Sequence, residues 1–179
     1  LTIDAGDPTL DMNGKSIASI GTVENSGTIV NFAGPYASAQ MHNHTGGLVA
    51  GAYGGVISMA ADDIIVNDGT IVVGPGAGSK LDASGAVTIN GSGTLKLDHT
   101  QVVQGTTLPQ STKWLTLGSS QTLMGSGVSE KKIWSNGTWI VDGDDGTLQV
   151  HAVAYNRGTV LIQNHGRLWV NSPLFQNEN

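Results

Sequence analysis

Asn67-Asp68-Gly69-Thr70-Ile71-Val72 states a phrase that this chain repeats: Asn, then Gly, then Thr or Arg, then two apolar residues. It recurs as Asn25-Ser26-Gly27-Thr28-Ile29-Val30, Asn90-Gly91-Ser92-Gly93-Thr94-Leu95 and Asn136-Gly137-Thr138-Trp139-Ile140. Asn156-Arg157-Gly158-Thr159-Val160-Leu161 and Asn164-His165-Gly166-Arg167-Leu168-Trp169 complete the set. Gly27 and Gly69 are 42 residues apart, Gly69 and Gly93 are 24, Gly93 and Gly137 are 44, and Gly137 and Gly158 are 21. These intervals are one or two multiples of roughly 22, a period that marks a stacked repeat. Two missing beats are supplied by Gly46-Gly47-Leu48-Val49 and by Lys113-Trp114-Leu115-Thr116-Leu117. Each unit must then bury its apolar face against its neighbours.

Between the phrases lie short apolar runs such as Ile64-Ile65-Val66, Ala86-Val87-Thr88-Ile89 and Thr94-Leu95-Lys96-Leu97. They are strand-sized and carry no helical period. The expected fold is therefore all-β, a parallel β-helix (β-solenoid) with about 22 residues per coil and some seven to eight coils. One solenoid domain is expected over residues 1–170, most regular over 137–170 and least regular over 33–62, where small residues replace β-branched ones. Strands are still expected near Met41–His44, Leu48–Ala50 and Val56–Met59, with a short helix near 36–40. Residues 171–179 read as a tail or the start of another module.

Composition agrees. The 179 residues are 39% hydrophobic and 12% charged, which is the balance of an ordered chain. Glycine contributes 26 residues, about twice the usual share, without a collagen period. A net charge of −6 and the lack of a basic stripe argue against nucleic acid as a partner. No cysteine is present, so disulfides and thiolate metal sites are excluded. No apolar run reaches the ~18 residues of a membrane-spanning helix, so no membrane insertion by this segment is expected. Leu1 is not an initiator Met, which fits a processed chain or a piece of a longer one.

The corner residues Asn25, Gly27, Asn67, Gly69, Gly93, Asn136, Gly137, Asn156 and Gly158 are read as architecture. Glycine and asparagine tolerate the positive φ of tight corners. Asparagines at equivalent corners can also stack as an amide ladder, and a threonine after the glycine suits the start of a strand.

Chemistry is sparser. In Met41-His42-Asn43-His44-Thr45, His42 and His44 point the same way if the segment is a strand. Two imidazoles are too few for a tight transition-metal site, but three chains on a threefold axis would supply six. That His-x-His pattern resembles the metal motif of trimeric phage tail fibres and spikes, and implies a homotrimer. Asp142, Asp144 and Asp145 cluster carboxylates as a calcium loop does, without the expected distal Glu. Asp62 with Asp82, and Asp98 with Asp142, fall one and two coils apart, as an acid pair on a polysaccharide-cleaving groove would. Of the four tryptophans, Trp114 and Trp139 follow the corner positions and are expected to point inward or cap the stack. Trp134, Trp139 and Trp169 are the candidate sugar platforms.

Thr9-Leu10-Asp11-Met12-Asn13-Gly14-Lys15-Ser16-Ile17, followed by Gly21-Thr22-Val23-Glu24-Asn25-Ser26-Gly27-Thr28-Ile29-Val30-Asn31, resembles the repeats of autotransporter passenger domains and related bacterial adhesins. Ser92–Leu97 and Gln104–Leu108 are similar. The resemblance implies a right-handed parallel β-helix, secreted or at the cell surface, non-enzymatic, that binds a glycan or protein receptor as an adhesive or stalk module, with no catalytic residues and no cofactor. The same Gly-, Thr- and Asn-rich style suits a trimeric phage tail fibre or spike segment on a virion tail. A polysaccharide lyase or hydrolase is the third expectation.

Overall fold

A computed structural model describes residues 1–17, 21–33, 40–59, 64–74, 79–83, 85–103, 114–142 and 146–178. The chain winds as a parallel β-solenoid of about seven turns, with about 21 residues between turns. In chain order the strands are β1 (Thr2–Ile3), β2 (Leu10–Asp11), β3 (Thr22–Asn25), β4 (Thr28–Phe32), β5 (Gln40–Asn43), β6 (Leu48–Gly51) and β7 (Val56–Met59). Next come β8 (Ile64–Asn67), β9 (Thr70–Val73), β10 (Lys80–Ala83), β11 (Val87–Asn90), β12 (Thr94–Val103), β13 (Leu115–Leu117) and β14 (Thr122–Ser129). The last are β15 (Ile133–Ser135), β16 (Thr138–Asp142), β17 (Thr147–Val150), β18 (Ala154–Asn156), β19 (Val160–Gln163), β20 (Arg167–Val170) and β21 (Phe175–Asn177).

Three faces result. The first is a nine-stranded sheet in the order β1-β3-β5-β8-β11-β13-β15-β18-β21. The second runs β2-β4-β6-β9-β12-β14-β16-β19, and the third pairs β7 with β10 and β17 with β20. Strands β12 and β14 belong to both. The first half of β12 pairs with β9 and its second half with β10. At the bend of β14, Gly125 has φ 109 and lies against the carbonyl of Leu97, where a side chain has neither conformation nor space.

Alternation along each strand sends every second residue inward. Val23, Met41, Ile65, Ile89 and Leu117 lie in register on the first face, all at most 2% exposed. Ile29, Val49, Ile71, Leu95, Leu123 and Trp139 form the matching column on the second. Each such side chain removed from water contributes roughly 1.5–3 kcal/mol. The column ends at β19 and β20, where Ile162 and Val170 continue the inward rows of Val141 and Val150 yet are 51% and 38% exposed.

A polar column runs beside the apolar ones. Asn25 Nδ2 donates to Asn43 Oδ1 at 2.7 Å, and Asn43 Nδ2 donates to Asn67 Oδ1 at 2.8 Å. The same nitrogens reach backbone carbonyls, Asn25 that of Leu48 and Asn43 those of Gly47 and Thr70. The next Asn of the phrase, Asn90, points outward, and Gln121 takes over. Its Oε1 accepts from Asn67 Nδ2 at 3.3 Å, and its Nε2 donates to the carbonyls of Asn67 and Asn90. Near the other end, Asn156 Nδ2 donates to Asn177 Oδ1 at 2.8 Å. Asn25, Asn43, Asn67 and Asn156 are fully buried.

Several expectations change. Gly27, Gly69, Gly93, Gly137 and Gly158 are not in positive φ. They are glycine because the turns stack too closely for a Cβ. A Cβ on Gly69 or Gly93 would fall on the carbonyl of Gly47 or Gly69, and one on Gly158 on that of Gly137, far inside the 3.0 Å that real Cβ contacts respect. Asn136 is exposed, and Ser135 takes the buried position in register with Asn156. The Trp114–Leu117 beat lies on the first face rather than at the second-face corner. Gln121 stands where the glycine would, since Thr94 pairs with Thr122 and Thr122 with Thr138. Arg167–Val170 likewise begins the third face, beside Thr147–Val150. Within 171–179, read as a tail or the start of another module, Phe175–Asn177 pairs with β18 at the end of the first sheet. The strands expected within 33–62 are β5, β6 and β7. Of the helix expected near 36–40, residues 36–39 lie outside the described residues, and Gln40 opens β5.

Two substitution sets test this stacking by chemical denaturation. Gly69→Ala and Gly158→Ala should each cost about 1–3 kcal/mol through backbone displacement. Gly6→Ala, with nothing within 4 Å of its added Cβ, should stay within about 0.5 kcal/mol of the parent. Asn43→Ala, which strands buried amide groups above and below, should cost ~1–3 kcal/mol, and Asn136→Ala almost nothing.

Candidate functional site

The described residues carry two outward-facing clusters of chemical interest. The first lies on the first sheet, where β3 and β5 run side by side with Glu24 opposite His42. His44 follows two residues later on the same side, and the two imidazole rings lie 3.9 Å apart at 35°. Glu24 Oε2 is 2.7 Å from His44 Nε2 and 3.4 Å from His42 Nδ1. The other nitrogen of His42, Nε2, is 3.3 Å from Asp68 Oδ2. Asp68 is itself held, because its Oδ1 accepts from the backbone N–H of Ser92 at 2.8 Å and from the Ser92 hydroxyl at 3.0 Å. The Ser92 backbone bond, then its hydroxyl, then His42 hold the Asp68 carboxyl below the ordinary carboxylate range. One donor atom each from Glu24, His42 and His44 lies within 4.8 Å of the others, and all three residues are half-buried.

The strand geometry behind this pair is legible in sequence, since residues two apart on a strand share a face. The partners are not. Glu24 and Asp68 lie 18 residues before and 26 after His42, in different turns. Only the register of β3 and β5, and the turn that follows β8, bring them in.

The second cluster is aromatic. Trp134 of β15 and Tyr155 of β18 are in register, and their rings lie 5.3 Å apart. Trp114, just before β13, sits 6.0 Å from Trp134 with nearly perpendicular planes and 5.5 Å from Tyr155. Two cations flank the rings: Lys132 Nζ is 5.7 Å from the Trp114 centroid, and the Arg157 guanidinium 4.8 Å from that of Trp134. Arg157 also pairs with Glu178 at 3.0 Å. All three rings are half-buried on outward positions. Trp114, expected to point inward or cap the stack, is thus part of the surface. Trp139, expected both to point inward and as a candidate sugar platform, points inward and is no platform: it is fully buried between Leu123 and Val160 and meets Phe175 edge-on at 5.9 Å. The reason is parity, because Trp139 occupies the inward position that Ile71 holds after Thr70. Trp169 is 60% exposed on β20 and apart from the ring cluster.

The acidic candidates separate. Asp142 accepts from Gln163 Nε2 at 2.7 Å and from Asn164 Nδ2 at 3.1 Å, so its carboxylate is engaged by the next turn. Asp144, Asp145 and Asp62 lie outside the described residues. Asp82 lies beside Ser58 in the preceding turn. Burial raises its carboxyl above the ordinary value, partly offset by the charges of Lys131 and Lys80. Lys131 is fully buried and donates from Nζ to the carbonyl of Gly85 at 2.9 Å. Among the described residues no helix is long and apolar enough to cross a membrane.

Comparison with protein-family models, curated proteins and solved structures gives no match.

The two tryptophan environments predict costs of different size in urea unfolding. Trp139→Ala should cost roughly 3–5 kcal/mol as a buried large-to-small change. Trp134→Ala, on the surface, should cost about 1–3 kcal/mol, the scale of its two lost ring pairs, and less than Trp139→Ala.

Proposed function

We propose that this chain is a non-enzymatic β-solenoid module displayed at a cell surface, an adhesin or stalk segment that binds glycan through its aromatic face. The observation that carries this reading is the cluster of Trp114, Trp134 and Tyr155 with Lys132 and Arg157 at its margin. Aromatic faces offer apolar area to the C–H surface of a sugar ring, while polar tips and flanking cations take its hydroxyl or acidic groups. Neighbouring strands are about 4.8 Å apart, so three rungs present a strip about 10 Å long on a stiff support. Little side-chain freedom is left to lose on binding, because the rings already pack against one another.

The test is a screen of neutral and acidic glycans against the parent chain, followed by titration of the best ligand. Trp134→Ala and Trp114→Ala should each weaken binding about tenfold, equivalent to ~1.4 kcal/mol. Undiminished binding in a Trp134→Ala/Tyr155→Ala double variant would move the site elsewhere. A screen with no bound sugar would leave a protein receptor as the partner and end the glycan reading.

A second reading, cleavage of an acidic polysaccharide, draws on Asp82. A carboxyl held up by burial and set beside two lysines has the character of an acid–base group. Turnover of an acidic glycan by the parent, abolished in Asp82→Asn, would favour it over the binding module.

A further inference from the structure

We propose that Glu24, His42 and His44 form a mononuclear site for a divalent transition-metal ion such as zinc, built within a single chain. The ligand types are the first argument. Two imidazoles and one carboxylate form a recurrent three-ligand zinc set that leaves a fourth position for water or another ligand. Imidazole selects transition ions over calcium or magnesium. The spacing is the second. Zinc bonds of roughly 2.1 Å in a tetrahedron set ligand atoms about 3.4 Å apart. Glu24 Oε2 and His42 Nδ1 are 3.4 Å apart already. Glu24 Oε2 and His44 Nε2 stand at 2.7 Å and need to open by about 0.7 Å to that spacing around an ion.

The third argument is the surrounding shell. Coordination through His42 Nδ1 leaves Nε2–H to donate to Asp68 Oδ2, 3.3 Å away. A metal-bound histidine typically has such a carboxylate partner, which fixes its tautomer and orientation. Asp68 is fixed in turn by two bonds from Ser92. The chain of contacts Ser92–Asp68–His42–Glu24 crosses four turns of the solenoid, so the ion would add to the strand pairing and amide ladder that already join those turns. The third donor is Glu24 of the neighbouring turn, so a threefold assembly is not needed to complete the set.

The chelator-stripped chain is titrated with zinc by calorimetry and with cobalt by visible absorbance. The expected result is one ion per chain, the intense d–d bands of four-coordinate cobalt, and a melting temperature that rises with zinc concentration. His42→Ala, His44→Gln and Glu24→Gln should each abolish the cobalt bands. Asp68→Asn should weaken zinc affinity about 10–100-fold while keeping the bands. His151→Ala, which alters a histidine paired with Glu130 elsewhere, should change nothing. Metal-free far-ultraviolet spectra matching the parent's show that the variants fold. No saturable zinc or cobalt binding, binding that survives in a folded His42→Ala/His44→Gln double variant, or one ion per three chains would each overturn the single-chain site.

Discussion

Backbone-to-backbone contact between successive turns is the constraint on which the rest of this molecule depends. Parallel strands stack at about 4.8 Å, and whatever occupies a corner must fit that distance. Gly69 over Gly47, Gly93 over Gly69 and Gly158 over Gly137 meet it by having no Cβ. The corner carbonyls they approach then accept from N–H groups of the next turn, as in the bonds from Thr70 to Gly47 and from Thr94 to Gly69. The amide ladder solves the companion problem. An inward-facing corner leaves polar groups out of water, and Asn25, Asn43, Asn67 and Gln121 satisfy one another's amides together with nearby carbonyls. Ile3, in register with Asn25, offers no donor, and Asn25 Oδ1 has no partner where the ladder begins.

Much of this is legible in the sequence because the corner phrase recurs at a nearly fixed interval and its strands alternate. The missing parts share a cause. Turn length is not constant: Asn25 and Asn43 are 18 residues apart, Asn43 and Asn67 are 24. Insertions slide one turn's residues against the next, so counting by 22 loses register locally. Asn43 belongs to the ladder although two extra residues separate it from its glycine, which hides it inside a histidine motif. Gln121 belongs although it is neither Asn nor Gly, because a longer amide spans the gap left when Asn90 turns outward. Asn136 has the phrase and misses the ladder by one residue, which flips it to solvent.

The same slippage governs what can be read of the candidate sites. His42 and His44 are adjacent by strand parity, a local rule. Glu24, Asp68 and Ser92 join them through three inter-turn registers, which no short motif encodes. Trp114, Trp134 and Tyr155 are 20 or 21 residues apart in sequence, and outward parity on neighbouring rungs makes them one surface. In a solenoid, chemistry at one place is distributed over the chain at intervals near the turn length. A search for clustered residues in sequence finds the His42/His44 pair and misses the partners in the neighbouring turns.

Side-chain amide hydrogen exchange, followed residue by residue by nuclear magnetic resonance, tests the stacked register most directly. Buried, hydrogen-bonded amides should open only with the surrounding turns. The Nδ2 protons of Asn25, Asn43 and Asn67 and the Nε2 protons of Gln121 should exchange orders of magnitude more slowly than those of Asn90 and Asn136. Equal, fast exchange at all six positions would mean that no buried ladder joins the turns, and the stacking account of this fold would be wrong.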